Sequence, residues 1–151
     1  MEWLKPLRGA VVGLDTAPLI YFIEENPLYL PLVRPFFEAV DRGEFRVVTS
    51  VLTLTEVLIH PMRKGDPDLA DRYRRILLEA ENVSTASVSE AVAEDAAQLR
   101  AQHGLRTPDA IQLATCIRSH ANFFVTNDTR IPALAPLKML VLNRLLPQAH
   151  I

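Results

Sequence analysis

The chain has 151 residues, 49% of them hydrophobic, a formal net charge of −2 and a mean hydropathy of +0.12. That leaves room for one domain with a proper core, too little positive charge to hold nucleic acid by charge alone, and no apolar run near the ~20 residues that span a bilayer. A single cysteine, Cys116, rules out an internal disulfide and suits a reducing cytoplasm, and the start lacks the basic-then-apolar order of a secretory signal.

The first apolar run, residues 10–15, shows no alternation and predicts a buried strand. Residues 16–24 read as a helix with Pro18 tolerated in its first turn, and Asn26-Pro27 breaks it. A second helix is expected over 31–42, stopped by Gly43. Residues 45–49 form the second strand. Ser50 can cap a helix over 51–60, which Pro61 should end. Residues 66–81 are amphipathic, with Leu69, Tyr73, Ile76, Leu77 and Ala80 on one side. A short strand at 83–85 precedes a long helix over 87–103 with Gly104 as its stop. Thr107 and Pro108 fit the N-cap and first position of a helix reaching 120. Strands at 123–126 and 137–142 complete the series. Strands separated by helices imply βαβ units and an α/β fold with a mainly parallel sheet of about five strands.

Four acids fall where this chain passes between strands and helices: Asp15, Glu56, Asp109 and Asp128. In an open α/β sheet, ligands bind beyond the carboxyl ends of the strands. Each acid also has an ordinary reading. Asp15 could cap the next helix, and Thr53-Leu54-Thr55-Glu56 matches a capping box. Asp109 could complement a helix dipole, and Asn127-Asp128 could close an Asx-turn. Taken together, their apolar surroundings make a cluster costly. Two carboxylates ~5 Å apart repel by about 3 kcal/mol at an effective dielectric near 20. A hard divalent cation converts that repulsion into ligation. His60, His103, His120 and His150 are too scattered for a zinc motif, so the donor set is oxygen only and selects Mg2+ or Mn2+.

The stretches Val11-Val12-Gly13-Leu14-Asp15-Thr16, Ser50-Val51-Leu52-Thr53-Leu54-Thr55-Glu56-Val57, Gly104-Leu105-Arg106-Thr107-Pro108-Asp109-Ala110-Ile111-Gln112-Leu113-Ala114 and Phe124-Val125-Thr126-Asn127-Asp128 together resemble the PIN-domain ribonucleases, in particular VapC-like toxins of type II toxin–antitoxin pairs. The resemblance spans residues 10–142. It implies a three-layer α/β/α sandwich and a single domain over 1–151, with 1–9 as an N-terminal extension. It also implies Mg2+- or Mn2+-dependent hydrolysis of RNA phosphodiester bonds. Residue by residue, Asp15, Glu56, Asp109 and Asp128 occupy the family's acidic positions. Thr16, Thr126 and Asn127 stand beside them, able to hold a metal-bound water or a phosphate. A cytoplasmic homodimer restrained by a cognate antitoxin is also implied. Beyond Asp128 the chain departs from the pattern, reading Thr129-Arg130-Ile131 without an aromatic.

Other readings are an RNA-processing nuclease without an antitoxin and a non-catalytic PIN-like module that docks through residues 28–37. Aspartyl-phosphate chemistry at Asp15 lacks support, because Ala17 stands where such phosphatases expect a second aspartate. A receiver-like domain should end its third strand on an acid, and 83–85 offers none.

Overall fold

The computed structural model describes residues 1–147, and their strands form one five-stranded, wholly parallel sheet in the order β3-β2-β1-β4-β5. A 3-10 helix, Glu2–Leu7, leads into β1 (Val11–Leu14), α1 (Thr16–Ile23), α2 (Leu30–Asp41), β2 (Arg46–Ser50), α3 (Val51–Lys64) and α4 (Pro67–Leu78). Then come β3 (Val83–Ala86), α5 (Glu90–His103), α6 (Thr107–Arg118), β4 (Phe123–Thr126), β5 (Lys138–Val141) and the single turn α7 (Leu142–Leu145). Parallel neighbours need long crossovers, and helices supply them. The chain builds outward from β1 to β3, then returns to place β4 on the other flank of β1. The strand order therefore reverses between β1 and β4, and a crevice opens at their carboxyl ends.

Alternation along the strands divides the core into two layers. Val12, Leu14, Val47 and Val125 pack with the buried residues of α1, α2, α3 and α4. Val48 and Phe124 pack on the other face with Val92 and Ala96 of α5 and Ala110, Leu113 and Cys116 of α6. This is the α/β/α sandwich the sequence implied. Residues 1–9 are tied into it: Leu7 is fully buried, and Trp3 stacks on Phe36 at 5.8 Å. Leu32, Val33, Phe36 and Phe37 of α2 are buried as well, while Leu28, Pro31 and Arg34 of the same stretch stay exposed. Among the described residues no helix is long and apolar enough to cross a membrane. His150 lies outside the described residues.

Three boundaries differ from expectation for identifiable reasons. Pro61 does not end α3. A proline forfeits only one helical donor near a C-terminus, and the helix runs on to Lys64 before Gly65 closes it at φ 68°. α5 begins at Glu90, not 87, because Ser89 can accept from Val92 N at 3.2 Å. Thr107 lies inside α6 with Arg106 as its N-cap. The Thr107 hydroxyl instead accepts from Arg100 Nη1 at 2.9 Å.

Gly13 controls how closely α6 approaches the sheet. A Cβ there would lie 2.6 Å from Cys116 Sγ and 3.1 Å from the Phe124 ring. Only the missing side chain lets α6 seat directly on β1, and α6 carries Asp109. Overpacked cores lose about 1–3 kcal/mol. We expect Gly13→Ala to destabilise by that order in denaturant melts, and Cys116→Ala to restore part of the loss in the double mutant. Additive effects of the two substitutions would contradict this packing.

Candidate metal centre in an acidic cleft

All four acids line one open cleft of about 510 Å³ at the carboxyl ends of β1 and β4, together with Thr16, Tyr21, Asn127, Arg106 and Arg130. Asp15 follows β1 directly, and its amide donates to Val125 O of β4 at 2.9 Å. Its carboxylate is held on both sides: Oδ1 accepts from Thr16 N at 2.8 Å and Oδ2 from Thr126 Oγ1 at 2.7 Å. Asp15 is the N-cap of α1, but it bonds the first amide of the helix and not the second or third. Thr126 thus orients an acid.

Glu56 projects from α3 well past its cap. That cap is Ser50, whose Oγ accepts from Leu52 N at 3.2 Å. Thr53 is buried and bonded elsewhere, so no capping box engages Glu56. Asp109 lies in the first turn of α6 and accepts from Arg106 Nε at 2.9 Å. Asp128 closes an Asx-turn with Arg130 N at 2.9 Å and takes a bidentate contact from the Arg130 guanidinium at 2.9 and 2.8 Å. Arg106 Nη2 stands 3.7 Å from the same carboxylate. Asn127 serves the scaffold: its Nδ2 donates to Tyr21 OH at 3.0 Å and its Oδ1 accepts from Asn143 N at 2.8 Å.

The electrostatics divide the acids into two pairs. Burial pushes the Asp15 carboxyl above its ordinary range, Thr126 and the Thr16 amide pull it down, and Asp109 and Asp128 push it up again. Glu56 is also raised, first by desolvation and then by Asp15 and Asp109. The Thr16 hydroxyl works the other way on Glu56, although it stays outside hydrogen-bonding geometry and is buried without a partner. Asp128 is lowered, chiefly by its hydrogen bond from Arg130. Asp109 and Asp128 therefore have cationic partners. Among the described residues, Asp15 and Glu56 form no ion pair. Burial also pushes the Cys116 thiol up to about 12, which leaves it an inert core residue.

These residues fit a hard divalent cation in charge and donor type. The cleft lining holds four carboxylates against two guanidiniums, a deficit of two positive charges. All its anionic donors are oxygen, and Thr16 Oγ1 is an orphaned hydroxyl among them. As the side chains stand, no three histidine, cysteine or acidic groups among the described residues are close enough to hold an ion. The arginines occupy Asp109 and Asp128, so ligation by those two acids requires the guanidiniums to turn away.

Three buried polar residues near the acids escape a reading of the sequence: Thr49, Thr53 and Gln112. Their one signal is polarity inside apolar stretches, as in Ala110-Ile111-Gln112-Leu113-Ala114.

The fold and cleft define a parallel α/β protein with an acidic site at its topological switch point. The PIN domain family model matches residues 12–136, and the chain belongs to that family. Similar solved structures include a toxin–antitoxin complex from Klebsiella pneumoniae (23% identity, TM-score 0.61, covering 86% of this chain and 96% of that one). VapBC2 from Rickettsia felis, bound to a promoter DNA fragment, is similar at 19% identity and TM-score 0.62, covering 85% and 98% of the two chains. DNA-bound VapBC from Salmonella typhimurium is similar at 16% identity and TM-score 0.64, covering 89% and 98%. No protein of curated function matches the chain.

The raised carboxyls set a direction for stability against pH. Folded Asp15 and Glu56 bind protons more tightly than they do in the unfolded chain. Their contribution is therefore full below the ordinary values of 3.8 and 4.5 and is lost as pH rises through the folded values. Asp128 acts oppositely, and its contribution is lost only as pH falls below 3.8. In EDTA the melting temperature should decline as pH is raised above 4.5 and then level off, and Glu56→Gln should flatten the decline. A melting temperature that climbs throughout that window would contradict the assignment.

Proposed function

We propose that this chain is a Mg2+- or Mn2+-dependent endoribonuclease and the toxin of a VapBC-type toxin–antitoxin pair. The observation that carries the catalytic part is the charge deficit of the cleft: two half-open acids without ion-pair partners beside two held only by arginines. A stable protein has no structural reason to keep that arrangement, and sites built for chemistry commonly do. Membership of the PIN domain family supports a nuclease. The toxin assignment is supported by the similar structures, which are toxin–antitoxin or VapBC complexes.

Asp15 and Glu56 would hold the ion, joined by Asp109 and Asp128 once their arginines release them. When bound, a divalent ion neutralises charge developing on the phosphate and acidifies a water. Glu56, with its raised pKa, is suited to orient that water and take up its proton. Thr126 keeps Asp15 aimed at the cleft. Arg106 and Arg130, largely exposed at the mouth, supply two guanidiniums for the RNA backbone. By the same proposal the protein is a cytoplasmic homodimer with an antitoxin partner, and the 1–151 chain acts as one unit. Co-expression with the neighbouring reading frame tests the partner: a co-purifying complex supports it, and a free, non-toxic protein favours a housekeeping nuclease.

Purified protein should cleave RNA in Mg2+ or Mn2+ and not in EDTA. Asp15→Asn and Asp109→Asn should each lower kcat at least 100-fold while the far-UV spectrum is unchanged. Arg106→Gln with Arg130→Gln should raise KM for RNA and weaken its salt dependence. Full activity in either aspartate variant, or in EDTA, would overturn the metal-dependent reading, and no cleavage under any of these conditions would leave the non-catalytic binding module.

A further inference from the structure

We infer that Gln112, Thr53 and Thr49 form a buried relay of hydrogen bonds whose role is to hold the acid-bearing segments in register; they are positioning residues for the proposed reaction. The inference rests on the metal-dependent nuclease reading for its catalytic consequence. Its structural content stands independently.

The direction of every bond in the relay is determined. Ser50 N can only donate, so the Gln112 oxygen that meets it at 2.8 Å must be Oε1. Gln112 Nε2 then donates to Thr53 Oγ1 at 2.8 Å. A hydroxyl has one proton. Thr49 Oγ1 lies 2.8 Å from Leu14 O, nearer than the 3.2 Å to Gln112 Oε1, so its proton goes to Leu14. Thr53 is left to donate to Thr49 across 2.8 Å. The sequence runs Gln112 to Thr53 to Thr49 to the last carbonyl of β1. Gln112 is 3% exposed and the two threonines are fully buried.

Each end of this relay lies next to an acid. Leu14 immediately precedes Asp15. Thr53 is one helical turn before Glu56 on α3, and Gln112 is one turn after Asp109 on α6. Residues a turn apart share a helix face, so anchoring one sets the position of the other. Apolar burial holds α3 and α6 against the sheet, but it is non-directional and does not by itself fix one register. A buried chain of directional bonds does fix one, since any shift leaves an unpaired polar group in the core. These bonds tie α6, α3, β2 and β1 together at the end of the sheet that carries the cleft.

Thr53→Val keeps the shape of the side chain and removes its hydroxyl; Thr53→Ser keeps the hydroxyl. The two variants, and the wild type, would be compared well below their melting temperatures by amide hydrogen exchange and by Mn2+ binding followed by electron paramagnetic resonance. We expect Thr53→Val to speed exchange at Ser50 and Asp15 at least tenfold, with Val12 and Leu113 unchanged, and to weaken Mn2+ at least tenfold. Thr53→Ser should stay within about twofold of wild type in both. Equal exchange and equal Mn2+ affinity in Thr53→Val would overturn the relay and leave the nuclease reading intact. Exchange that changes at all sites alike, in both variants, would also overturn it, by showing a role in global stability only. If wild type itself binds no Mn2+, the nuclease reading fails, and the exchange contrast alone decides the relay.

Discussion

The cost of gathering four carboxylates in one cleft, desolvation first and mutual repulsion after it, is the constraint on which the arrangement of this site depends. Asp15 and Glu56 are raised by desolvation and by neighbouring acids, which means that the fold spends stability to keep them where they are. Every strong feature nearby limits that cost or holds the acids against it. Thr126 and the Thr16 amide fix Asp15. Arg106 and Arg130 neutralise Asp109 and Asp128. Beneath them, buried hydrogen bonds join the segments that carry the acids.

The sheet makes such an arrangement possible. With the order β3-β2-β1-β4-β5, the chain leaves β1 and β4 in opposite directions, and the gap between the two departures is the cleft. Gly13 lets α6 descend onto β1 and brings Asp109 to the same end as Asp15. Two apolar layers, one on each face, give these strands a rigid setting. Function then depends on small side chains and single hydrogen bonds placed on a scaffold whose stability comes from elsewhere.

Much of this was legible in the sequence. Unalternating apolar runs marked β1 and β4 because both their faces are buried, and Gly43 and Gly104 marked helix ends through their left-handed conformations. The acids stood out because they end or open apolar segments. Pro61 and Thr107 misled because a proline so near a helix end forfeits only one donor, and because Arg100 claims the Thr107 hydroxyl. The capping box at Thr53 failed because α3 starts at Val51 with Ser50 as its cap, which leaves Thr53 inside the helix and free to bond Gln112. The contact from Arg106 to Asp128 is similarly invisible to spacing, whereas the Arg106–Asp109 and Arg130–Asp128 pairs are local.

The central claim is that the cleft takes a hard divalent cation in place of its internal arginine partners. Anomalous diffraction from crystals grown with Mn2+ tests it most directly. The account predicts a manganese peak in the cleft with Asp15 among its ligands and with Arg106 or Arg130 turned away from its carboxylate. A cleft without manganese, with both arginines still paired to Asp109 and Asp128, would contradict it.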